Sequence, residues 1–293
     1  MTRYRISHTT TYDYSEPVSL CQNVAHLAPR ACPRQLAEPS VMVITPEPAV
    51  LQNRVDFFDN PVSYFTIQEP HRELTVDVTH RVTVLPEAPP AAAATPPWEL
   101  VRDRLGWDRG AAWLDAYQYV FDSRYAAADP RFAAYAGPSF APGRPVLEAA
   151  LDLTRRTHAD FAYDPRATTL ATPVAEVFES RRGVCQDFAH LMLACLRSVG
   201  LAARYVSGYL STVPPPGRPR LVGADATHAW VGVFCGDAGW VDLDPTNDQI
   251  PAGRHVLLAW GRDYEDVSPL KGVILGGGTH AVRVAVSVVP DEE

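Results

Sequence analysis

An α+β protein with a β-rich front half is the fold class that this 293-residue sequence predicts. Three observations carry it. Residues 1–86 alternate polar and apolar side chains with the period of strands. A run after Gly183 repeats with the period of a helix, and the chain beyond Gly200 reverts to strands. Helices followed by a block of strands segregate into layers rather than forming a doubly wound sheet.

The elements follow in order. Residues 3–14 alternate around Tyr4, Ile6 and His8, and residues 41–44 are β-branched and apolar. Residues 57–61 carry turn chemistry between strand-like runs, and Leu74, Val76, Val78, Val82 and Val84 resume the alternation. Short strands of this kind predict a small β-sandwich. Residues 86–97, rich in Pro and Ala, read as a linker or a loop laid over the surface. Residues 98–134 are helical in tone, with Leu100, Leu105, Trp113, Leu114, Tyr117, Val120 and Phe121 as apolar markers. A helix opens near Pro145, and a short one follows Thr172-Pro173, an N-cap and first-position proline. Phe188, Leu191, Met192, Cys195, Leu196 and Val199 then trace an amphipathic helix of about 14 residues, which Gly200 stops. Strands are expected at 203–210, 228–235, 240–243, 255–260 and 282–289, with a proline-rich loop at 214–219. Three regions result: a β-rich domain at 1–86, a linker and helical connection at 87–144, and a core at 145–293.

With 46% hydrophobic and 20% charged residues the chain has ample material for a packed core. Its 26 basic against 34 acidic residues leave a net charge of −8, unsuited to non-specific nucleic-acid binding. No run reaches the ~18 apolar residues of a membrane span, and the start lacks a signal-peptide core. The expectation is a cytoplasmic protein with neither nucleic acid nor membrane as partner. Five cysteines, at 21, 32, 185, 195 and 235, form neither a CxxC pair nor a disulfide framework, so reduced thiols are expected. Of the basic residues only Lys271 is a lysine.

One constellation carries chemistry. Cys185 stands where the amphipathic helix begins, and there unpaired backbone N–H groups and the helix dipole favour a thiolate. The same N–H groups suit the oxyanion of a tetrahedral intermediate, and Gly183 permits a tight turn and close approach of substrate. A thiol nucleophile needs a base, and the base needs an orienting group. His228 opens one expected strand and Asp244 closes the next, and a turn at 235–239 places them at similar distances from its tip. Imidazole and carboxylate are therefore expected side by side. Asp242, two residues away, shares the strand face of Asp244, so spacing alone leaves both open as orienter.

These segments resemble the transglutaminase-like superfamily of papain-related thiol enzymes. The matches are Gly183-Val184-Cys185-Gln186-Asp187-Phe188-Ala189-His190, His228-Ala229-Trp230-Val231 and Asp244-Pro245-Thr246-Asn247. The front region resembles the N-terminal domain of the bacterial branch. The resemblance implies a papain/transglutaminase-like core, in which the helix bearing the cysteine packs on an antiparallel sheet, behind an N-terminal β-sandwich-like domain. It also implies a Cys185-His228-Asp244 triad that acts on a peptide or amide through a thioester, with no cofactor or metal. Resolution by water makes the protein an amide hydrolase, a peptidase or amidase. Resolution by an amine makes it a protein-glutamine gamma-glutamyltransferase, and a non-catalytic scaffold is the third reading. The match favours Asp244 over Asp242. None of the six tryptophans matches the indole that animal members use as a second oxyanion donor.

Other conspicuous residues have plainer expectations. Cys195 lies in the helix stripe and reads as core. His190 points away from Cys185 and reads as core or partner-bonded, and Asp187 as a first-turn hydrogen-bond acceptor. Trp230 and Trp240 read as cross-strand packing. Cys185, Asp187 and His190 do not have a metal-ligand spacing.

Overall fold

The computed structural model describes residues 1–85, 87–212 and 226–291. The proline-rich run at 214–219 lies outside the described residues. The front half is organised by β1 (Thr2–Ala25), a strand of 24 residues. Its inward positions are Tyr4, Ile6, His8, Thr10, Tyr14 and Val18, then Cys21, Asn23 and Ala25. The change from even to odd numbers coincides with a register shift between Val18 and Leu20. One extra residue there moves the alternation by one and bends the strand.

After β1 come β2 (Gln35–Ala37), β3 (Val41–Thr45), β4 (Val50–Val55), β5 (Pro61–Ile67) and β6 (His71–Val84). β6 pairs antiparallel with the first half of β1, Thr2 opposite Val84, and β5 with the second half, Cys21 opposite Ile67. In the turn before β5, Asp56 Oδ1 accepts the backbone N–H groups of Phe58 and Asn60, both at 2.8 Å. The sandwich-like core is thus made by one curled sheet, in which Val18, Cys21, Phe65, Ile67, Leu74 and Val76 pack together.

The helical segment holds α1 (Trp98–Leu105), α2 (Ala111–Tyr117), α3 (Pro130–Ala136) and α4 (Val146–Asp160). The stretch before α1 is a strap and not a tether. Val146 N–H donates to Pro96 O at 2.9 Å, Trp98 N–H to Arg144 O at 3.0 Å, and Leu147 N–H to Thr95 Oγ1 at 3.2 Å. Next come β7 (Ala162–Tyr163), α5 (Val174–Ser180), β8 (Arg182–Gly183) and α6 (Cys185–Ser198). α6 has the 14 residues its periodicity predicts, and Gly200 follows at φ 81°. It is more deeply placed than a one-sided helix, with every residue from Asp187 to Arg197 buried. The sheet covers one side and α3, α4 and α5 the other. Its polar members stay bonded: Arg197 donates to the carbonyls of Tyr119, Ala126 and Ala203.

The sheet beneath α6 comprises β9 (Ala203–Leu210), β10 (Ala226–Phe234), β11 (Trp240–Leu243) and β12 (His255–Gly261), in the order β11-β10-β9-β12. α7 (Tyr264–Val267), β13 (Leu270–Gly276) and β14 (His280–Pro290) end the chain. Here the structure departs from the expected division. β13 and β14 pair with the two halves of β1, so the last strands complete the front sheet instead of the core. β13 escapes sequence reading because Val273 and Leu275 are exposed and glycines interrupt it.

The two halves are joined along β12, an edge strand. Gln35 accepts from Leu257 N–H at 2.9 Å and donates to Leu257 O at 2.7 Å. Asn60 does the same to Trp260, at 3.0 and 2.8 Å. Each side-chain amide satisfies edge groups as a neighbouring strand would. Tyr4, Ile6, Val82, Val84, Val286 and Val288 share one apolar cluster with Leu147, Met192 and Tyr205 of the core. No described helix is long and apolar enough to cross a membrane.

Candidate active site

The site is built where α6 meets the edge of its sheet. Val184 is extended and precedes the first helical turn, so the backbone N–H of Cys185 has no intrahelical partner. Asp187 Oδ2 accepts from Val184 N–H at 2.8 Å and from Thr168 Oγ1 at 2.6 Å, the structural role expected of it. A Cβ on Gly183 would stand 2.6 Å from that carboxylate oxygen. The close approach that requires glycine there is made by Asp187, not by a substrate. Cys185 is half-buried, and Cys21, Cys195 and Cys235 are buried.

β10 and β11 supply the remaining groups. Gly232 lies opposite Asp242, so the hairpin carries His228 and Asp244 to the same end of the sheet. His228 donates from Nε2 to Asp244 Oδ2 at 2.8 Å. This bond occupies one ring nitrogen, and Cys185 is among the groups that act electrostatically on the same ring. The three residues expected from sequence are therefore brought together. Asp242 is not on the histidine. Its Oδ2 accepts from Trp230 Nε1 at 3.0 Å and from Arg34, so it ties β10 to the front half.

Asp244 is fully buried and heavily bonded. Oδ2 also accepts from His255 Nε2 at 3.0 Å and Asn247 Nδ2 at 2.7 Å, and Oδ1 from the N–H groups of Thr246 and Asn247. Burial pushes its pKa up, but these donors and the His228 charge outweigh burial and hold it well below the usual carboxylate range. Burial likewise lowers His228, yet Asp244 and Cys185 win and raise it to about 10. The imidazole is thus poised to stay protonated at neutral pH. His255 is lowered by burial and serves as a neutral donor to Asp244.

His255 and Asn247 are the members that sequence reasoning missed. Asn247 had a signal, because Asp followed by Pro favours a turn in which the carboxylate caps the next N–H groups. A single histidine at a strand start carries no such mark. His255→Ala should lower stability by about 1–3 kcal/mol, since it strips one donor from a buried carboxylate. Urea unfolding reads this, and an unchanged midpoint would mean that Asp244 does not depend on His255.

Cys185, Asp187 and His190 do not converge. His190 Nε2 accepts from Tyr264 N–H at 3.2 Å, its ring stacks on Tyr125, and burial lowers it to about 3. Trp230 is buried edge-on to His255, with ring centroids 5.3 Å apart, and Trp240 packs on Phe234 and Tyr119.

A cysteine at a helix N-terminus, set against an antiparallel sheet that carries His and Asp, defines the papain-like α+β class. The chain belongs to the transglutaminase-like superfamily. The model of the transglutaminase-like superfamily matches residues 133–245, and that of the bacterial transglutaminase-like N-terminal region matches residues 4–83. An uncharacterized protein of Mycobacterium tuberculosis is 42% identical over 99% of this chain and 93% of its own length. A protein-glutamine gamma-glutamyltransferase of Pseudomonas aeruginosa is 31% identical over 151 residues, 44% of this chain and 23% of its own. Among solved structures, a candidate cysteine protease from Cytophaga hutchinsonii covers all of this chain and 92% of its own at a TM-score of 0.75 and 19% identity, a likeness of fold.

Proposed function

We propose that the protein is a thiol-dependent amide hydrolase that works through Cys185, His228 and Asp244. The observation that supports this most is the hydrogen bond from His228 to a buried, multiply bonded carboxylate, on a ring whose charge is also favoured by the half-exposed Cys185 at the start of α6. The Cys185 thiolate attacks the amide carbonyl while the Cys185 N–H donates to the oxyanion. His228 passes its proton to the departing amine, and a thioester remains on Cys185. Water then adds to the thioester as His228 takes its proton, and the acid is released. Asp244 holds the ring and stabilises its charge. Five free cysteines suit a reducing compartment, and we propose the cytoplasm.

Transfer of the acyl group to an amine uses the same residues. The likeness to the Pseudomonas aeruginosa transferase favours it as the second reading. A panel of peptide amides, incubated with and without a primary amine, separates the two by product mass. Free acid in both mixtures supports hydrolysis. An amide adduct that dominates whenever amine is present overturns hydrolysis in favour of transfer.

Alkylation gives a second check. Burial pushes the Cys195 and Cys235 thiols up to about 12 and also raises Cys21. Iodoacetamide at neutral pH should therefore label Cys185 well before these three, and His228→Ala should slow that labelling. Mass mapping that finds half-buried Cys32 modified first would contradict the assignment.

A further inference from the structure

Between the front sheet and the core lies a cleft of about 560 Å³, within the range that holds a small ligand or a few residues of a peptide. Two links run from its lining to the residues around Cys185. Thr227 lines it and immediately precedes His228. Leu170 lines it, two residues beyond Thr168, which is bonded to Asp187 in the first turn of α6.

The cleft has a definite chemistry. From β1, Tyr12 and Tyr14 stack with ring centroids 6.2 Å apart and planes within 11°, and exposed His280 of β14 lies about 6 Å from both. These three rings form one aromatic wall. The lining also includes Lys271, the only lysine in the chain. Its ammonium donates to the backbone carbonyl of Glu265 at 2.6 Å, while the Glu265 carboxylate is taken by Arg124. An ammonium has three donors, so two remain for an anion. Among the described residues that line the cleft there is no Asp or Glu, in a chain of net charge −8.

We propose that this cleft is the specificity subsite for an acyl donor that carries an aromatic residue and a negative charge next to the reacting amide. The inference rests on the thiol chemistry proposed above and adds the substrate class. Aromatic faces give the donor its position, and Lys271 selects its charge. The front sheet is in this way part of substrate recognition, because one wall of the subsite belongs to β1 and β14.

The test separates binding from chemistry. In full-length protein bearing Cys185→Ala, calorimetry measures the Kd of four acetylated hexapeptide amides. Each carries Phe or Ala, combined with Asp or Arg, on both sides of a central glutamine. The Phe/Asp peptide should bind about tenfold or more tighter than Ala/Arg. Lys271→Glu, at an exposed position, should invert the preference between Asp and Arg, and His280→Ala should shrink that between Phe and Ala. Equal affinities for the four peptides, or ratios that neither substitution changes, overturn the proposal. Selective binding without any thioester in the protein that retains Cys185 would instead overturn the hydrolase reading and leave the subsite standing.

Discussion

Asp244→Asn is expected to leave the fold intact and lower turnover by about 10⁴-fold, the effect of losing the orienting carboxylate in Ser–His–Asp triads. The carboxylate accepts from His228 at 2.8 Å and is held ionised by His255, Asn247 and two backbone N–H groups. An amide of equal shape keeps the packing but loses the charge that stabilises the imidazolium. The pH dependence adds a sign. His228 lies at about 10, raised above its ordinary 6.5 by Asp244 and Cys185 against the pull of burial. Its proton is therefore retained at neutral pH and lost as pH rises through about 10, which sets the alkaline limb of kcat/KM. Without the Asp244 charge that limb should move to lower pH. Asp242→Asn is the contrast. Asp242 is spent on Trp230 and Arg34, so its loss should cost stability and much less turnover. Reversed effects of the two substitutions would make Asp242 the orienter.

A fragment that begins at Pro145 should be insoluble or molten. Three losses combine. β13 and β14 lose β1, the strand with which both pair. The outer edge of β12 loses the two amides that bracket Leu257 and Trp260. The cluster that contains Leu147, Met192 and Tyr205 loses Tyr4, Ile6, Val82 and Val84 along with α1–α3. Each amide pair contributes about 0.5–1.5 kcal/mol per hydrogen bond, and the exposed apolar face costs more, against a total stability of only about 5–15 kcal/mol. Circular dichroism on heating reads the outcome. A soluble fragment with a cooperative transition and turnover would show that the front half is an independent module.

Local patterns made some of this legible. α6 was readable because a helical stripe, a glycine before it and a glycine after it all agree, and the β10–β11 hairpin because its strands lie close in sequence. What local pattern does not encode is pairing at a distance. The alternation in β1 serves two different partners on each edge, and nothing in it announces that strands about 245 or more residues away complete its sheet. Burial of α6 on all sides was less legible: His190 and Asp187 read as bonded residues, but nothing local marks Arg197 as buried until its carbonyl partners are known. Gln35, Asn60 and His255 act through isolated side-chain contacts with no sequence period. Spacing alone left Asp242 and Asp244 alike, and the hydrogen-bond partners of each distinguish them as the family resemblance implied.

The central claim is that Cys185 forms a covalent acyl-enzyme, and peptide-mapped mass spectrometry of protein quenched in acid during turnover tests it most directly. The account predicts an acyl mass on the peptide that contains Cys185, absent after Cys185→Ala and diminished after His228→Ala. Turnover that persists in Cys185→Ala, or an acyl mass on Cys21 or Cys32 instead, would contradict it.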